Sequence, residues 1–172
     1  FGGSSVNNTP DAVLTGSFKS GLFGYTITPA GDLNHDGYSD FLIGAPNSGE
    51  DCCGQVFIYF GSNSFDTEAH VILNGENTDD FFGGKITTCY HRGENTNDYF
   101  LVSAMGNDEA GESAGKVYIF QGMNSEPIST LLGENAGDYF GFDMDAGLGV
   151  IDANQWYWVI GAPYSDENGE NS

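Results

Sequence analysis

The sequence predicts an all-β fold made of four-stranded β-propeller blades, in about three repeats of roughly 59 residues that leave the ring incomplete and its ends open. Three observations carry this. Phe23-Gly24, Phe82-Gly83 and Phe140-Gly141 stand 59 and 58 residues apart. Ile43-Gly44-Ala45-Pro46, Val102-Ser103-Ala104-Met105 and Ile160-Gly161-Ala162-Pro163 keep that spacing. Between these anchors lie short apolar runs bounded by turn residues, with Gly at 26 of 172 positions, which is strand-and-turn rather than helix chemistry.

In the first full repeat the expected strands are 23–28, 41–45, 55–60 and 69–74. The second run, Phe41-Leu42-Ile43-Gly44-Ala45, is apolar almost throughout, as a strand buried on both faces should be. The second repeat gives 84–89, 99–104, 116–121 and 128–132, and the third gives 141–145 and 157–162. All five prolines, Pro10, Pro29, Pro46, Pro127 and Pro163, fall at strand edges or in turns, where a missing N–H does little harm. Phe1-Gly2-Gly3-Ser4-Ser5 aligns with Phe60-Gly61-Ser62-Asn63-Ser64, which makes 11–15 the fourth strand of a preceding blade. The expected division is 1–16 as that outer strand, 17–75 and 76–133 as two blades, and 134–172 as a partial third.

Charge narrows the function. Four Lys and Arg against 25 Asp and Glu give a net charge of −21. That argues against nucleic acid and anionic membrane surfaces as partners and favours divalent cations in a salty, extracellular setting. No run approaches the roughly 18 apolar residues of a membrane span. The chain opens on Phe1 rather than Met, so the lack of a leader carries little weight.

The charge concentrates in Asp32-Leu33-Asn34-His35-Asp36-Gly37-Tyr38-Ser39-Asp40, between strands one and two. Asp32, Asn34, Asp36 and Asp40 hold positions 1, 3, 5 and 9 of a nine-residue loop, so their oxygens can face one centre. Gly37 sits where the chain turns sharply. Tyr38, at position 7, offers its backbone carbonyl. A hard, all-oxygen, acid-rich set suits Ca²⁺ far better than Zn²⁺. The alternative is an Asx-rich hairpin turn without metal. The Glu that closes an EF-hand loop at position 12 is missing, and a strand begins instead.

The two anchors with a D-x-N-x-D-G-x-x-D loop between them resemble the FG-GAP repeats of the integrin alpha-subunit β-propeller and its bacterial relatives, over about residues 11–172. The resemblance implies calcium held by Asp32, Asn34, Asp36 and Asp40 with the Tyr38 carbonyl. It also implies extracellular, non-catalytic work in adhesion or surface architecture, with partners met on the loops opposite the calcium loops, here 47–53 and 106–114. The other two repeats depart from the pattern. His91-Arg92-Gly93-Glu94-Asn95-Thr96-Asn97-Asp98 brings a cation into the loop, and Gly149-Val150-Ile151-Asp152-Ala153-Asn154-Gln155 keeps one carboxylate, so neither is expected to hold metal.

Other features are less specific. Cys52, Cys53 and Cys89 match no zinc spacing; Cys52 or Cys53 could pair with Cys89, or with each other, or all three stay free. Asn7-Asn8-Thr9 is a glycosylation sequon at Asn7. The acidic turns 75–80 and 133–138 read as solvated turns or weak cation sites. Trp158 aligns with Phe41 and Phe100 and is expected in the core. The scattered His35, His70 and His91 form no catalytic arrangement, and no enzyme activity is expected. Two readings remain for the open ends: a segment of a longer propeller serving adhesion, with a protein or glycan ligand, or a subunit whose edges are completed by copies of itself, joined head to tail into a filament.

Overall fold

The structure is a computed structural model that describes residues 10–64, 66–89, 99–148 and 156–165. Its strands are β1 (Thr26–Gly31), β2 (Asp40–Ala45), β3 (Gln55–Tyr59), β4 (Val71–Asn74), β5 (Ile86–Cys89), β6 (Tyr99–Ala104), β7 (Lys116–Gln121), β8 (Ser129–Leu132), β9 (Met144–Leu148) and β10 (Trp156–Ile160). They form two four-stranded antiparallel sheets, β1-β2-β3-β4 and β5-β6-β7-β8, and the pair β9–β10. The repeat is therefore a four-stranded blade, and the first two blades are complete.

The strand-one expectation placed its start about three residues early in each repeat. Phe-Gly is a turn, not the head of a strand. Gly24, Gly83 and Gly141 hold φ of 88°, 88° and 89°, a left-handed conformation that costs other residues energy. Each glycine N–H crosses to strand two of its own blade: Gly24 to the Gly44 carbonyl at 3.1 Å, Gly83 to Ser103 at 3.0 Å and Gly141 to Gly161 at 3.0 Å. The turn is closed by Tyr25, Gly84 and Phe142 donating to Leu22, Phe81 and Tyr139 at 2.9, 2.9 and 3.0 Å.

That turn delivers the Phe to the neighbouring sheet. Phe82 is buried in a core shared by the first two blades, with Leu42, Val56, Ile58 and Leu73 on one side and Ile86, Phe100, Val102, Tyr118 and Phe120 on the other. It meets Tyr118 edge-on at 5.2 Å between ring centroids. Phe140 does the equivalent work at the next junction, against Leu101, Val117, Ile119 and Met144. Near the innermost strands, Thr26 Oγ1 donates to the Gly84 carbonyl at 2.7 Å and Thr88 Oγ1 to Pro29 at 2.8 Å.

The glycine of Gly-Ala-Pro is also explained. A Cβ on Gly44 would run into the Gly83 carbonyl of the next blade, so the two sheets meet there backbone to backbone. Gly54 and Gly115 press in the same way on the backbones of Phe82 and Phe140.

Other expectations differ from the structure. Residues 11–15 pair with no strand among the described residues; Leu14 instead packs on the outer face of blade one beside Phe23, Phe41 and Ala69. No disulfide forms: Cys52, Cys53 and Cys89 are free thiols. Cys89 ends β5 at the hairpin end of its blade, whereas Cys52 and Cys53 lie in the β2–β3 loop at the other end, and a strand's length at about 3.3 Å per residue separates the two ends. Cys89 Sγ instead accepts the Trp158 Nε1 proton at 2.7 Å. Trp158 is 38% exposed rather than in the core: its face of β10 turns to blade two, where it reaches Cys89, but it is only partly covered, whereas the matching Phe100 is fully buried.

Gly44→Ala tests the junction without a φ penalty, since Gly44 is not left-handed. The variant should lose about 1–3 kcal/mol, the usual cost of overpacking, measured by urea denaturation. A stability equal to the parent would show that the two backbones do not meet there.

Candidate metal centre

The loop between β1 and β2 is held to the fold at two points. Leu33, the apolar residue among the acids, is buried in the core shared by the first two blades. Asp40 is 2% exposed and forms the first residue of β2. Its carboxylate takes the Leu33 N–H at 2.7 Å on Oδ2 and the Gly61 N–H at 2.8 Å on Oδ1. The last expected ligand thus also joins the hairpin to the turn that follows β3.

The rest of the loop is organised by Asx hydrogen bonds. Asp32 accepts from the amides of Asp36 at 3.0 Å and Gly37 at 2.9 Å. Asn34 Oδ1 accepts from the Asp36 amide at 3.0 Å, and Asp36 Oδ1 from Tyr38 at 2.9 Å. Asn34 Nδ2 donates to Asp36 Oδ2 at 2.8 Å. Gly37 holds φ 92° with open space where a Cβ would stand, so its conformation, not crowding, calls for glycine.

Asp32, Asn34, Asp36 and Asp40 are therefore gathered in one loop, with Asp36 and Tyr38 exposed. Their oxygens face the loop's own amides. Among the described residues no three His, Cys, Asp or Glu side chains stand together as a ready metal cluster. The donor chemistry fits a hard cation, because it is all oxygen and includes three carboxylates. Burial raises the Asp40 carboxyl above its ordinary 3.8, the amides of Gly61 and Leu33 oppose the rise, and the charges of Asp32 and Asp36 add to it. Those two charges are thus close enough for Asp40 to feel them.

Sequence reasoning found the four side chains but missed Gly61 and the anchoring by Leu33. The second was readable, as a lone leucine among acids; the first was not, since any residue supplies an amide. The turns 75–80 and 133–138 are less solvated than expected. Asp80 and Asp138 are buried, Asp80 accepting from Asn107 Nδ2 at 2.7 Å and Asn77 Nδ2 at 3.2 Å, and Asp138 from the Asn135 amide at 3.1 Å. The loops 90–98 and 149–155, the sequon at Asn7 and the two ends of the chain lie outside the described residues.

Comparison with known proteins agrees with this architecture. The FG-GAP repeat pattern matches residues 23–60, from the Phe-Gly turn through the acidic loop to the end of the third strand. Integrin alpha-8 of Gallus gallus is 52% identical over 64 residues, 37% of this chain and 6% of the relative. Integrin alpha-7 of Rattus norvegicus is 30% identical over 155 residues, 86% of this chain and 13% of the relative. Integrin alpha-7 of Mus musculus is 29% identical over 161 residues, 89% and 13%. The chain therefore spans between 6% and 13% of the length of these relatives.

A raised Asp40 pKa has a definite sign. The folded protein keeps this proton to higher pH than the unfolded chain, so in the metal-free protein Asp40's contribution to stability is greatest below pH 3.8 and declines as pH rises through the folded value. In chelator, the parent's urea midpoint measured against that of Asp40→Asn should fall as pH rises across this window. A constant difference between the two would remove the shift.

Proposed function

The chain belongs to the integrin-like FG-GAP repeat family, and from that premise we propose that it is a non-enzymatic, extracellular propeller segment serving adhesion or surface architecture, with one Ca²⁺ held in the β1–β2 loop of its first blade. The observation that carries the metal is the donor set: Asp32, Asn34, Asp36 and Asp40 on one short loop, with the Tyr38 carbonyl available. Asp32 and Asp36 would turn from loop amides to the ion, and Asp40 would keep the loop fixed to Leu33 and Gly61. Calcium there rigidifies the hairpin. Asn7 carries an N-linked glycan in this reading.

The outer face of blade one supports the longer-propeller part of the proposal. Phe23, Phe41, Ile43 and Ile27 line an open hollow there. The matching face of blade two, with Phe82, Phe100 and Val102, is fully covered by blade one. A further blade would cover the exposed Ile27 and the half-buried Phe23 and Phe41 in the same way. The second reading, a subunit that joins head to tail into a filament, would use this same face with another copy in the blade's place. A protein or glycan ligand would meet the loops 47–53 and 106–114 at the far end.

Removing Ca²⁺ should lower the melting temperature. Free ion at 100 times Kd adds about 2.7 kcal/mol, and Asp32→Ala/Asp36→Ala should erase the difference between calcium and chelator. Equal melting with and without chelator in the parent would remove calcium from the reading. Sedimentation of the same samples separates the two assembly readings: a discrete species supports the longer propeller, and a concentration-dependent ladder supports the filament.

A further inference from the structure

Asp36-Gly37 is the one Asp-Gly step in the sequence. There are two Asn-Gly steps: Asn74-Gly75, and Asn168-Gly169, which lies outside the described residues. Both kinds of step share a chemistry. The backbone nitrogen of the second residue attacks the side-chain carbonyl carbon of the first, and glycine, with no Cβ, hinders that nitrogen least. In an unstructured peptide the Asn-Gly step is the faster of the two. The fold reverses that order for the described pair. Asn74 ends β4, where the Gly75 amide is spent on the Gly54 carbonyl at 2.9 Å and Asn74 Oδ1 is held by Gln55 Nε2 at 2.7 Å. A Cβ on Gly75 would strike the Cys53 carbonyl, so the backbone there is tightly enclosed.

Asp36-Gly37 has the opposite surroundings. Both residues are exposed, and nothing lies within 4 Å of where a Gly37 Cβ would stand. Asp36 Oδ1 accepts from the amide of Tyr38, two residues on, at 2.9 Å. That Asx turn folds the carboxyl back along the peptide that carries the Gly37 nitrogen. The Gly37 N–H is directed at Asp32 Oδ2 at 2.9 Å, so a carboxylate already takes the proton that the attacking nitrogen must lose. Asn34 Nδ2 donates to Asp36 Oδ2 at 2.8 Å, on the oxygen that must depart. Nucleophile, electrophile, proton acceptor and a donor to the leaving oxygen thus stand together in one turn, where proximity favours ring closure.

We propose that Asp36-Gly37 is a self-modifying site, at which the metal-free hairpin converts Asp36 to isoaspartate with Asp32 as proton acceptor. The Gly37 nitrogen bonds to Asp36 Cγ and gives its proton to Asp32 Oδ2. Asp36 Oδ2 leaves as water, with that proton and one from solvent, and a cyclic imide remains. Water then opens the ring. Attack at the former side-chain carbonyl restores aspartate. Attack at the Asp36 backbone carbonyl gives isoaspartate, with the chain now running through Cβ and Cγ. One water is lost and one regained, and nothing is oxidised or reduced. IsoAsp36 lengthens the loop backbone by one carbon, which breaks the alternation that sets residues 32, 34, 36 and 40 to one side. The isomerisation itself needs no calcium. Its consequence, a loop that loses its ion with age, rests on the reading of this hairpin as the calcium site.

The test ages the parent chain in chelator and heavy-oxygen water at neutral pH, digests it, and reads the peptides by mass spectrometry with fragmentation that separates isoaspartate from aspartate. Ring opening leaves one heavy oxygen on the residue that reacted. Label and isoaspartate are expected at residue 36 and not at residue 74. An unlabelled residue 36, or label at residue 74 ahead of it, overturns the proposal, and neither outcome depends on a variant. Asp32→Asn keeps an oxygen acceptor but loses the basic carboxylate, and should slow labelling about tenfold or more; an unchanged rate overturns the role of Asp32. Asp36→Glu, whose longer side chain does not close this ring readily, should leave the position unlabelled, and label there overturns the ring route. The aged aspartate and isoaspartate forms, separated by chromatography, are then given Ca²⁺ and weighed by native mass spectrometry. The ion should bind the aspartate form alone. Binding by both overturns the loss of the site. Binding by neither, nor by fresh chain, removes the metal reading and leaves the isomerisation standing on its label.

Discussion

Consecutive blades touch through backbone, and the rest of the architecture depends on that approach. Gly44 lies against the Gly83 carbonyl, and Gly54 and Gly115 against the backbones of Phe82 and Phe140, at separations no Cβ would permit. Close approach lets Phe82 and Phe140 reach the neighbouring sheet, where Phe82 is 1% exposed. Glycine therefore serves twice in the repeat. In Phe-Gly it supplies a left-handed turn, and in Gly-Ala-Pro it supplies empty volume. A fold spaced by larger side chains at these points would lose the stacked aromatics that fill the shared core.

Charge is arranged on that frame by two different means. The β1–β2 loop carries its acids on a short hairpin and quiets them with amides, four of its own and that of Gly61, which reach the carboxylates of Asp32, Asp36 and Asp40. The opposite end of blade two sets an ammonium between Glu76 and Glu109. One arrangement sets its acids against backbone amides, the other against an ammonium carried on the chain. Lys85, just before β5, and Asp143, just before β9, pair at 2.6 Å, but with Asp143 largely exposed this contact is screened and adds little.

The sequence made the repeat, the strand count and the acidic loop legible, because each leaves a periodic trace: an anchor pair every 58 or 59 residues, an apolar second strand, and acids at alternate loop positions. β2, β6 and β7 were placed to within a residue for that reason. The start of strand one was misplaced because Phe23-Gly24 is apolar enough to read as strand, while its hydrogen bond to Gly44 is a contact across the blade. The Lys116 cluster was not legible, because Glu76 lies 40 residues away in sequence and meets Lys116 only when the blade is folded. Trp158 was read as core from its alignment with Phe100, yet burial depends on what covers a residue, and the cover over β10 differs.

The central claim is that the metal belongs to one loop while the Phe-Gly turn is shared by every repeat. Native mass spectrometry of the chain with increasing Ca²⁺ tests it most directly, because it counts ions per molecule without relying on stability. The account predicts a plateau at one specifically bound Ca²⁺ per chain, lost in Asp32→Ala/Asp36→Ala. A plateau at two or three would place ions in the other blades as well, and no binding in the parent would contradict the donor set of Asp32, Asn34, Asp36 and Asp40.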